Sequence, residues 1–567
     1  MQHVFRRTCR LWVAFGLLAP LEVLGQDFLG YANSNYAGVM GSTLNPGYML
    51  SSRYRLDIGL TGSFSLANDY FGFRREGFSN LGDAFNFTGE DANGRPIYEQ
   101  YWEENWEEGG RRNVYASLNS GISVQTRVGK RGALGFSGRG RVLYALQDAD
   151  ALFLKAFLGQ FDFEPGSPEA NAIYSPVTVT IDAGGNPIVS PSVDELNYIE
   201  TSGGTLRSLG FAEYSLSYAH TVLERGPHAL IASGRVKYIQ GVASAAFGAD
   251  DLAIAVANKD LLLLRPGSNF NISYSQDFQL EELASQFGQN ALPSLGYDVG
   301  FVYEWRPRLI DYQYNLDGKR NQLPQGEPMY KLRVGLAITD IGKVKWEDDL
   351  FSGTFTAPDL TDLTNFSSAQ TANDFRDLLL AQIDTPPVER QSFELQLPTA
   401  LNLQVDYHLY KGFYLGALVR QSLVGSDQFT TRVNDSYLFV PRYESRVFEA
   451  SLPLLFDNLG NTTAGVSVRV GPVVVGSNSL LGTLLFSDGA IYNLDGYFGF
   501  RIGIGYKQVH DRDNDGVSNR YDTDDKAPGS WEHNGAPDTD GDHVPDSLDK
   551  CPNDPGLPEH NGCPDGR

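Results

Sequence analysis

The chain has 567 residues, of which 41% are hydrophobic and 12% aromatic, and its formal net charge is −24. This acidic balance argues against a nucleic-acid-binding protein, which needs a basic surface. No apolar run approaches the roughly 20 residues of a membrane-spanning helix. The 61 glycines and abundant aromatic residues, with few cysteines and methionines, favour a β architecture, including barrels with aromatic girdles.

The N-terminus has the organisation of a secretion signal. An apolar run, Leu11–Leu18, is followed by cleavage geometry before Gln26, and it is too short for an anchor helix. We therefore expect residues 1–25 to form a signal peptide that is removed, taking Cys9 with it. The positive charges that precede the run are Arg6, Arg7 and Arg10.

The mature chain begins with Gln26–Ser51, whose density of Asn, Gly and Pro predicts an ordered, turn-rich entry segment rather than a strand. Alternation of apolar and polar residues then predicts about 12 strands, or 14 if the segment 242–294 hides another pair. The predicted strands are 54–66, 114–127, 133–146, 206–222, 228–240, 295–305, 332–338, 401–409, 413–423, 442–455, 463–475 and 494–506.

The connections between these strands alternate between short and long, as in outer-membrane barrels with short periplasmic turns and long outer loops. Tight turns are predicted near 130, 226, 318, 411 and 459, and one long loop, Val177–Val193, is itself predicted to be a β-hairpin. Several strands also place Arg or Asp opposite a continuous aliphatic row, which a barrel would direct into its lumen. We predict that residues 26–508 form an all-β, transmembrane antiparallel β-barrel of about 12–14 strands in contact with outer-membrane lipid.

The charged residues on the predicted lumen faces allow two interpretations. They either line a polar conduit, or form a mutually paired network that fills and stiffens the interior. A lone His408 is a weak base candidate, and we expect its imidazole to pair with a carboxylate. No nucleophile–base constellation is evident, so we expect a non-enzymatic protein. The set comprises Arg53, Arg55, Asp57, Arg127, Arg139, Arg141, Arg235, Lys237, Asp298, Glu304, Arg306, Arg333, Asp406, His408 and Arg501.

Segments of the barrel region resemble an uncharacterised family of Bacteroidota outer-membrane barrels. They include NYAGVMGSTLNPGYMLSSRYRLDIGL, and the more specific DIG of GLAITDIGKVKW and LPT of LPTALNLQVDYHLYKGFYL. The resemblance covers most of residues 27–508, and extends more distantly to barrels of the long-chain fatty-acid-transporter type. It implies the fold and an outer-membrane location, but no known activity.

The C-terminal tail, residues 509–567, changes to an acidic composition. From Asp511 onward it holds 15 acidic and 5 basic residues, a charge of −10. Alternating carboxylates followed by glycine converge oxygen ligands around a sharp turn, which is the chemistry that calcium prefers. The first frame has 12 residues, and the predicted Ca²⁺ ligands are Asp511, Asp513, Asp515, Asn519 and Asp522.

A second acidic frame with the predicted ligands Asp538, Asp540, Asp542, Asp546 and Asp549 follows, and then come Cys551-Pro552 and Cys563-Pro564. The doubled pattern resembles thrombospondin type-3 repeats. That resemblance implies calcium ligation by these residues and a Cys551–Cys563 disulfide. His543 departs from it by standing where glycine is usual, which puts the turn and the affinity of the second site in doubt. The alternative is a disordered, solvated acidic tail.

Three functions remain open from the sequence. The first is a structural or assembly component of the outer membrane, whose calcium-stiffened periplasmic tail docks a periplasmic or outer-membrane protein partner. The second is a passive channel or transporter for a small or hydrophobic solute, and the third is a secreted calcium-binding adhesin without a barrel. Proteins with this layout often continue into a peptidoglycan-binding domain. Because the sequence ends at Arg567, peptidoglycan binding by this chain is not expected.

Overall fold

The structure is a computed structural model. Residues 1–27, which include the predicted signal peptide, and residues 507–509 at the junction with the tail lie outside the described part of the chain. The described residues are 28–84, 91, 97–105, 110–151, 178–181, 187–190, 196, 198–201, 204–258, 261–275, 291–347, 350–357, 361–362, 376–378, 380–381, 388–425, 430–485, 490–506 and 510–564.

Fourteen antiparallel strands form a closed barrel, and the first pairs with the last where Tyr54 lies opposite Gly505. The strands are β1 Tyr54–Asn68, β2 Arg111–Val128, β3 Gly132–Asp150, β4 Gly204–Arg225, β5 His228–Asn258, β6 Ser294–Trp305, β7 Leu332–Trp346, β8 Ala400–Tyr410, β9 Phe413–Ser422, β10 Ser436–Glu444, β11 Phe448–Ser451 with Leu454–Asp457, β12 Thr462–Ala464 with Val466–Val470, β13 Val473–Ser477 and β14 Asn493–Gly505.

The wall of the barrel is apolar outside and polar inside, the reverse of a soluble protein. On β4, the outward side chains of Leu216 and Tyr218 are 62% and 48% exposed, whereas those of Glu213 and Ser215 are 0% and 1% exposed. A closed sheet with an apolar outer belt satisfies the bilayer's demand that every backbone group be paired. The predicted transmembrane barrel is therefore confirmed, and a secreted adhesin without a barrel disagrees with it.

The two ends of the barrel differ. The turn end carries Tyr54, Gly505 and the short turns at Gly129, Gly226, Lys411 and Gly471; the loop end carries the long connections. Strands extend there into a continuation of the barrel sheet. Its further strands are Tyr198–Thr201, Leu261–Leu264, Asn269–Ser275, Ala291–Leu292, Leu350–Thr356, Thr361–Asp362, Val388–Glu389 and Phe393–Gln396.

The upper predicted count of 14 strands was right, but the reason given for it was wrong. The predicted strands 442–455 and 463–475 each contain a turn, at residues 445–447 and at Gly471-Pro472, and so each divides into two. Segment 242–294 adds no barrel pair; it lengthens β5 and contributes to the sheet at the loop end. The short turn near 459 joins β11 to β12 at the loop end, not at the turn end where the prediction placed it.

Small elements complete the described chain. Three two-stranded ribbons occur, and one of them confirms the hairpin predicted within Val177–Val193. Within the described residues, no helix is long and apolar enough to cross a membrane. The ribbons are Phe71–Phe73 with Trp102–Glu104, Thr178–Ile181 with Pro187–Ser190, and Tyr314–Leu316 with Lys319–Gln322. The helices are α1 Leu81–Ala84, α2 Leu480–Leu485, and the 3-10 helices Gly41–Thr43, Pro46–Leu50, Arg75–Asn80, Ile97–Tyr101, Leu309–Tyr312, Trp531–His533 and Pro558–His560.

Candidate functional site

The segment before β1 lies inside the barrel and is here called the plug, residues 28–52. All of its residues are buried except Thr43 and Ser51, which are half-buried. Its backbone forms consecutive turns, in which Tyr31, Ser34, Ala37 and Met40 each donate to the carbonyl three residues earlier. The predicted turn-rich entry segment is thus observed, and its position in the lumen is what the sequence did not reveal.

The plug is fastened to the wall by hydrogen bonds. Asn35 donates from its backbone N and its side-chain Nδ2 to Glu444, at 3.0 and 2.9 Å. Ser34 Oγ donates to Glu449 Oε2 at 2.7 Å, and Asn45 Nδ2 donates to the Phe301 carbonyl at 3.1 Å. These bonds satisfy polar groups of an irregular segment that would otherwise be buried without partners.

A first charged cluster faces the plug from β7, β8 and β10. Arg442 binds Asp406 with both Nη atoms, at 2.6 and 2.7 Å, and donates from Nε to Glu444 at 2.7 Å. Arg333 reaches the same Asp406 at 3.2 Å and lies between the rings of Tyr48 and Tyr330, at 4.7 and 4.5 Å. Paired geometry of this kind is what makes buried charges tolerable.

A second charged cluster lies on the lumen faces of β3 to β7. Lys237 Nζ contacts Asp298 at 2.7 Å and Asp340 at 2.5 Å, while Arg141 contacts Asp340 at 2.8 Å. Arg139 Nε donates to Glu213 at 2.7 Å. Every one of these side chains is at most 9% exposed. The paired-network interpretation of the lumen charges therefore describes this conformation better than an open polar conduit.

An apolar layer follows the second charged cluster toward the loop end. On β4, Phe211 and Leu209 come directly after Glu213 on the lumen face, and both are fully buried. Trp346 stacks on Phe393 with ring centroids 5.2 Å apart, and its Nε1 has no hydrogen-bond partner among the described residues. The members of this apolar layer are Leu143, Leu209, Phe211, Ile239, Ala246, Val344, Trp346, Phe393, Leu395 and Leu397.

The DIG and LPT motifs meet where the wall bends at the base of the apolar layer. Asp340 and Gly342 adopt positive φ angles of 59° and 149°, and β7 changes partner from β8 to the strand Phe393–Gln396. Leu397 N donates to the Gly342 carbonyl at 2.9 Å, and Thr399 Oγ1 donates to the Asp340 carbonyl at 2.7 Å. The bend directs Val344, Trp346 and Phe393 into the lumen.

Six of the fifteen predicted lumen residues belong to these two charged clusters, and others pair elsewhere, as Arg306 does with Glu304 and Arg501 with Asp57. His408 is half-buried, stacks on Tyr414 at 4.6 Å, and contacts the Lys411 carbonyl through Nε2 at 2.6 Å, so its predicted carboxylate partner is wrong. Arg55 is exposed at the turn end. The lumen charges that the prediction missed include Glu213, Asp340, Arg442, Glu444, Glu449 and Arg469. Glu213 occupies a lumen position of the alternation, Asp340 lies where the alternation of β7 breaks, and Glu449 and Arg469 follow the unrecognised turn at 445–447.

In the tail, the first predicted calcium frame converges. Asp511, Asp513 and Asp515 bring carboxylate oxygens within 4.8 Å of one another. Shielded oxygens of Asp511, Asp513, Asn519 and Asp522 have no hydrogen-bond partner among the described residues. Desolvation raises the pKa of Asp513. Unpaired oxygens that face one another are what a calcium cage would satisfy, so the residues present fit Ca²⁺.

The second frame converges less completely. Asp538, Asp540 and Asp542 cluster, and an oxygen of Asp549 is shielded and unpaired within the described tail. Asp546 instead accepts two hydrogen bonds from Thr539, at 2.7 and 2.6 Å, which lower its pKa. Four of the five predicted ligands are therefore available.

The cysteine pair implied by resemblance is joined. Cys551 and Cys563 form a disulfide with their Cα atoms 5.1 Å apart.

The tail packs against the barrel rather than standing clear of it. Asp317, in the turn of the ribbon Tyr314–Gln322 at the turn end, donates from its backbone N to the Gly516 carbonyl at 2.9 Å. Its side chain accepts from Ser518 N at 2.8 Å. Gly318 lies so close to the Trp531 indole that a Cβ would fall 2.5 Å from Nε1. The first calcium frame is thus hydrogen-bonded to a turn of the barrel.

Comparison with known proteins gives a family and distant structural similarities. A family described as "Family of unknown function (DUF5723)" matches residues 185–478. No curated protein matches the chain.

Three solved structures illustrate the structural similarity. A TodX deltaS2S3 mutant monoaromatic hydrocarbon channel is 7% identical with a TM-score of 0.37, covering 82% of this chain and 93% of that one. The CymD monoaromatic hydrocarbon channel is 11% identical with a TM-score of 0.30, covering 86% and 99%. A FadL homologue from Pseudomonas aeruginosa is 10% identical with a TM-score of 0.34, covering 85% and 97%.

Proposed function

The chain belongs to the family of unknown function DUF5723, and we propose that it is a non-enzymatic, plugged outer-membrane barrel that transports a small apolar solute. The observation that carries this proposal is the apolar layer within the lumen. The plug and the paired charges fill the half of the lumen nearer the turn end, and a purely structural barrel would need nothing more. The other half presents aromatic and aliphatic side chains to the interior, where an apolar solute gains from leaving water.

The plug makes the proposed transport gated rather than passive. In the conformation described, the plug and both charged clusters lie between the apolar layer and the turn end, so a solute passes only when the plug shifts. Its contacts with the wall are hydrogen bonds and van der Waals packing, each of modest net free energy, which makes such a shift feasible. The proposed direction is from the loop end, outside the cell, toward the turn end in the periplasm.

Binding of an apolar probe tests this function directly. Bromobenzene, added to the full-length protein in lipid nanodiscs, should quench intrinsic tryptophan fluorescence saturably, because Trp346 lies in the apolar layer. Phe211→Gln places an amide in that layer and should weaken binding at least tenfold. Leu216→Gln, on the lipid face of the same strand, is the matched control and should bind as the wild type does. Unsaturable quenching, or equal quenching in both variants, would contradict the proposal.

A second candidate function is an assembly role for the tail. It is favoured by apolar side chains that the tail exposes, Leu548 at 70% and Leu557 at 52%, although the tail also packs on the barrel. We propose that two Ca²⁺ ions order the tail and that a periplasmic or outer-membrane protein then docks on it. Co-purification from outer membranes with calcium present should recover a partner with the full chain and lose it on deletion of residues 511–567. Identical partners for both would exclude the role.

A further inference from the structure

Two histidines and one carboxylate meet at the junction of the two tail repeats. His533 ends a 3-10 helix, and its Nε2 lies 3.7 Å from Oδ2 of Asp538. The ring of His543 lies 6.2 Å from that of His533, between centroids. One ligand atom from each of the three residues falls within 4.8 Å of the other two. The three side chains therefore share one patch of the tail surface.

The internal repeat of the tail explains why an imidazole stands here. Residues 27 positions apart correspond, so that Asp511 matches Asp538 and Gly516 matches His543. Both repeats adopt the same turn: Gly516 N donates to Asp511 Oδ2 at 2.9 Å, and His543 N donates to Asp538 Oδ2 at 3.0 Å. The φ angles are 88° and 73°, in the left-handed region that favours glycine.

The second repeat therefore carries a side chain where the first has none, in a backbone conformation that disfavours it. In the first repeat, position 516 contributes no ligand group beside its leading aspartate. In the second, the same position holds His543 beside Asp538, and His533 approaches from the end of the preceding repeat. The conformational cost of His543 is offset if its imidazole binds something.

The chemistry of the three groups selects the class of ion. Calcium takes oxygen ligands, whereas two imidazole nitrogens with one carboxylate oxygen are typical of Zn²⁺. Tetrahedral zinc ligands at about 2.0–2.2 Å from the metal lie roughly 3.4 Å from one another. The 3.7 Å separation of His533 and Asp538 is near this value, and small side-chain rotations bring His543 into range.

We propose that His533, Asp538 and His543 bind one Zn²⁺ ion, with a fourth position open to water or to a ligand from another molecule. The site differs from the two proposed calcium cages by its two nitrogen ligands, and it shares Asp538 with the second cage. It depends neither on solute transport nor on partner docking.

The test measures zinc binding by the full-length protein in detergent. The protein is first stripped of metal with a chelator, and zinc binding is then measured with calcium in excess. Competition against a chromophoric zinc chelator should give one Zn²⁺ per chain. His543→Gly and His533→Gln should each weaken binding at least tenfold. His560→Gln is the matched control, since His560 holds the corresponding place in the second repeat, and it should leave the affinity unchanged.

His543→Gly introduces the residue that this backbone conformation favours, so weaker zinc binding by this variant would not result from misfolding. Near-ultraviolet circular dichroism, to which Trp531 of the tail contributes, checks independently that the variant is folded. Co²⁺ offers a second readout, because its visible absorption reports nitrogen ligation. The proposal is overturned if the wild type binds no zinc in competition, if His543→Gly binds as tightly as the wild type, or if His560→Gln loses binding equally.

Discussion

Thr399 donates its hydroxyl hydrogen to the backbone carbonyl of Asp340, 2.7 Å away, and so ties the LPT motif to the DIG motif across two strands. Thr399→Val removes this bond while keeping the side chain's shape. We expect a loss of about 1 kcal/mol in the free energy of unfolding.

The same variant should show faster hydrogen exchange at the Leu397 amide, which bonds to Gly342 beside it. Exchange measured by mass spectrometry checks this. Thr462→Val, at an exposed position, is the control. Unchanged exchange at Leu397 would mean that the backbone alone holds the bend.

Locking the plug should abolish transport. A Cβ built at Gly47 lies 3.4 Å from Ser233 Oγ on β5 and 2.8 Å from a Val302 methyl. The double variant Gly47→Cys with Ser233→Cys therefore places two cysteine side chains next to each other, provided that the Val302 side chain shifts. We expect the oxidised double variant to stop uptake of an apolar solute and mild reduction to restore it, because the plug can then leave the lumen. Uptake into cells expressing each form is the measurement.

The single variant Ser233→Cys, treated with the same oxidant and reductant, controls for the native disulfide. Undiminished uptake by the oxidised double variant would show that the plug stays in place during transport, or that the solute passes elsewhere.

Gly38 of the plug should tolerate no side chain. It has a φ of 53°, and a Cβ would lie only 1.7 Å from Asp57 Oδ2. Gly38→Ala should therefore destabilise the barrel by more than the roughly 1–3 kcal/mol of backbone strain alone. Gly129→Ala is the matched control, since Gly129 has a φ of 65° and no heavy atom within 4 Å. Heat-modifiable gel mobility compares the two, and equal midpoints would contradict the predicted clash.

Removing the carboxylate at the centre of the first charged cluster should be costly. Asp406→Asn removes the carboxylate partner of Arg333 and leaves Arg442 paired with Glu444 alone. The expected loss is about 3–5 kcal/mol, because uncompensated buried charge is more unfavourable than the pair is favourable. Denaturant unfolding in detergent measures it, with exposed Asp311→Asn as the control. A loss below about 1 kcal/mol would indicate that water reaches the cluster.

Calcium binding by the tail should depend on the first acidic frame. The double variant Asp513→Asn with Asp515→Asn removes two of the cage's carboxylates, and calorimetry should then show one fewer Ca²⁺ per chain. Asp524→Asn, outside the cage, should retain the wild-type stoichiometry. Calcium should also protect the ribbon Tyr314–Gln322 from proteolysis, because Asp317 bonds to residues of that frame. No bound calcium in the wild type would refute the proposed cages.

Alternation of residues predicted the barrel well because a strand of a barrel wall has a strict period of two. It failed at residues 445–447, where an unrecognised turn moves the buried positions from even residue numbers, as at Glu444, to odd ones, as at Glu449. At Gly471-Pro472 the dipeptide itself was a turn signal that the apolar residues around it obscured.

The site was harder to predict than the wall. The acidic frames are local in sequence, so their convergence followed from spacing alone. The plug's position in the lumen, the contact of Thr399 with Asp340, and the approach of His533 to His543 depend on tertiary packing between segments that no local pattern relates. Arg442 and Glu444 were hidden for the same reason, since their partners come from the plug and from β8.

The pairing of Tyr54 with Gly505 joins the first and last strands of the wall, and this has a consequence for how the protein is made. Contacts between such distant residues form slowly, since the whole intervening chain must be positioned first. The plug directly precedes β1 in the chain and is therefore synthesised before that strand. The barrel therefore closes last, around a plug that was synthesised first. Variants that loosen the plug should slow barrel assembly, and this effect should appear before any change in the finished barrel.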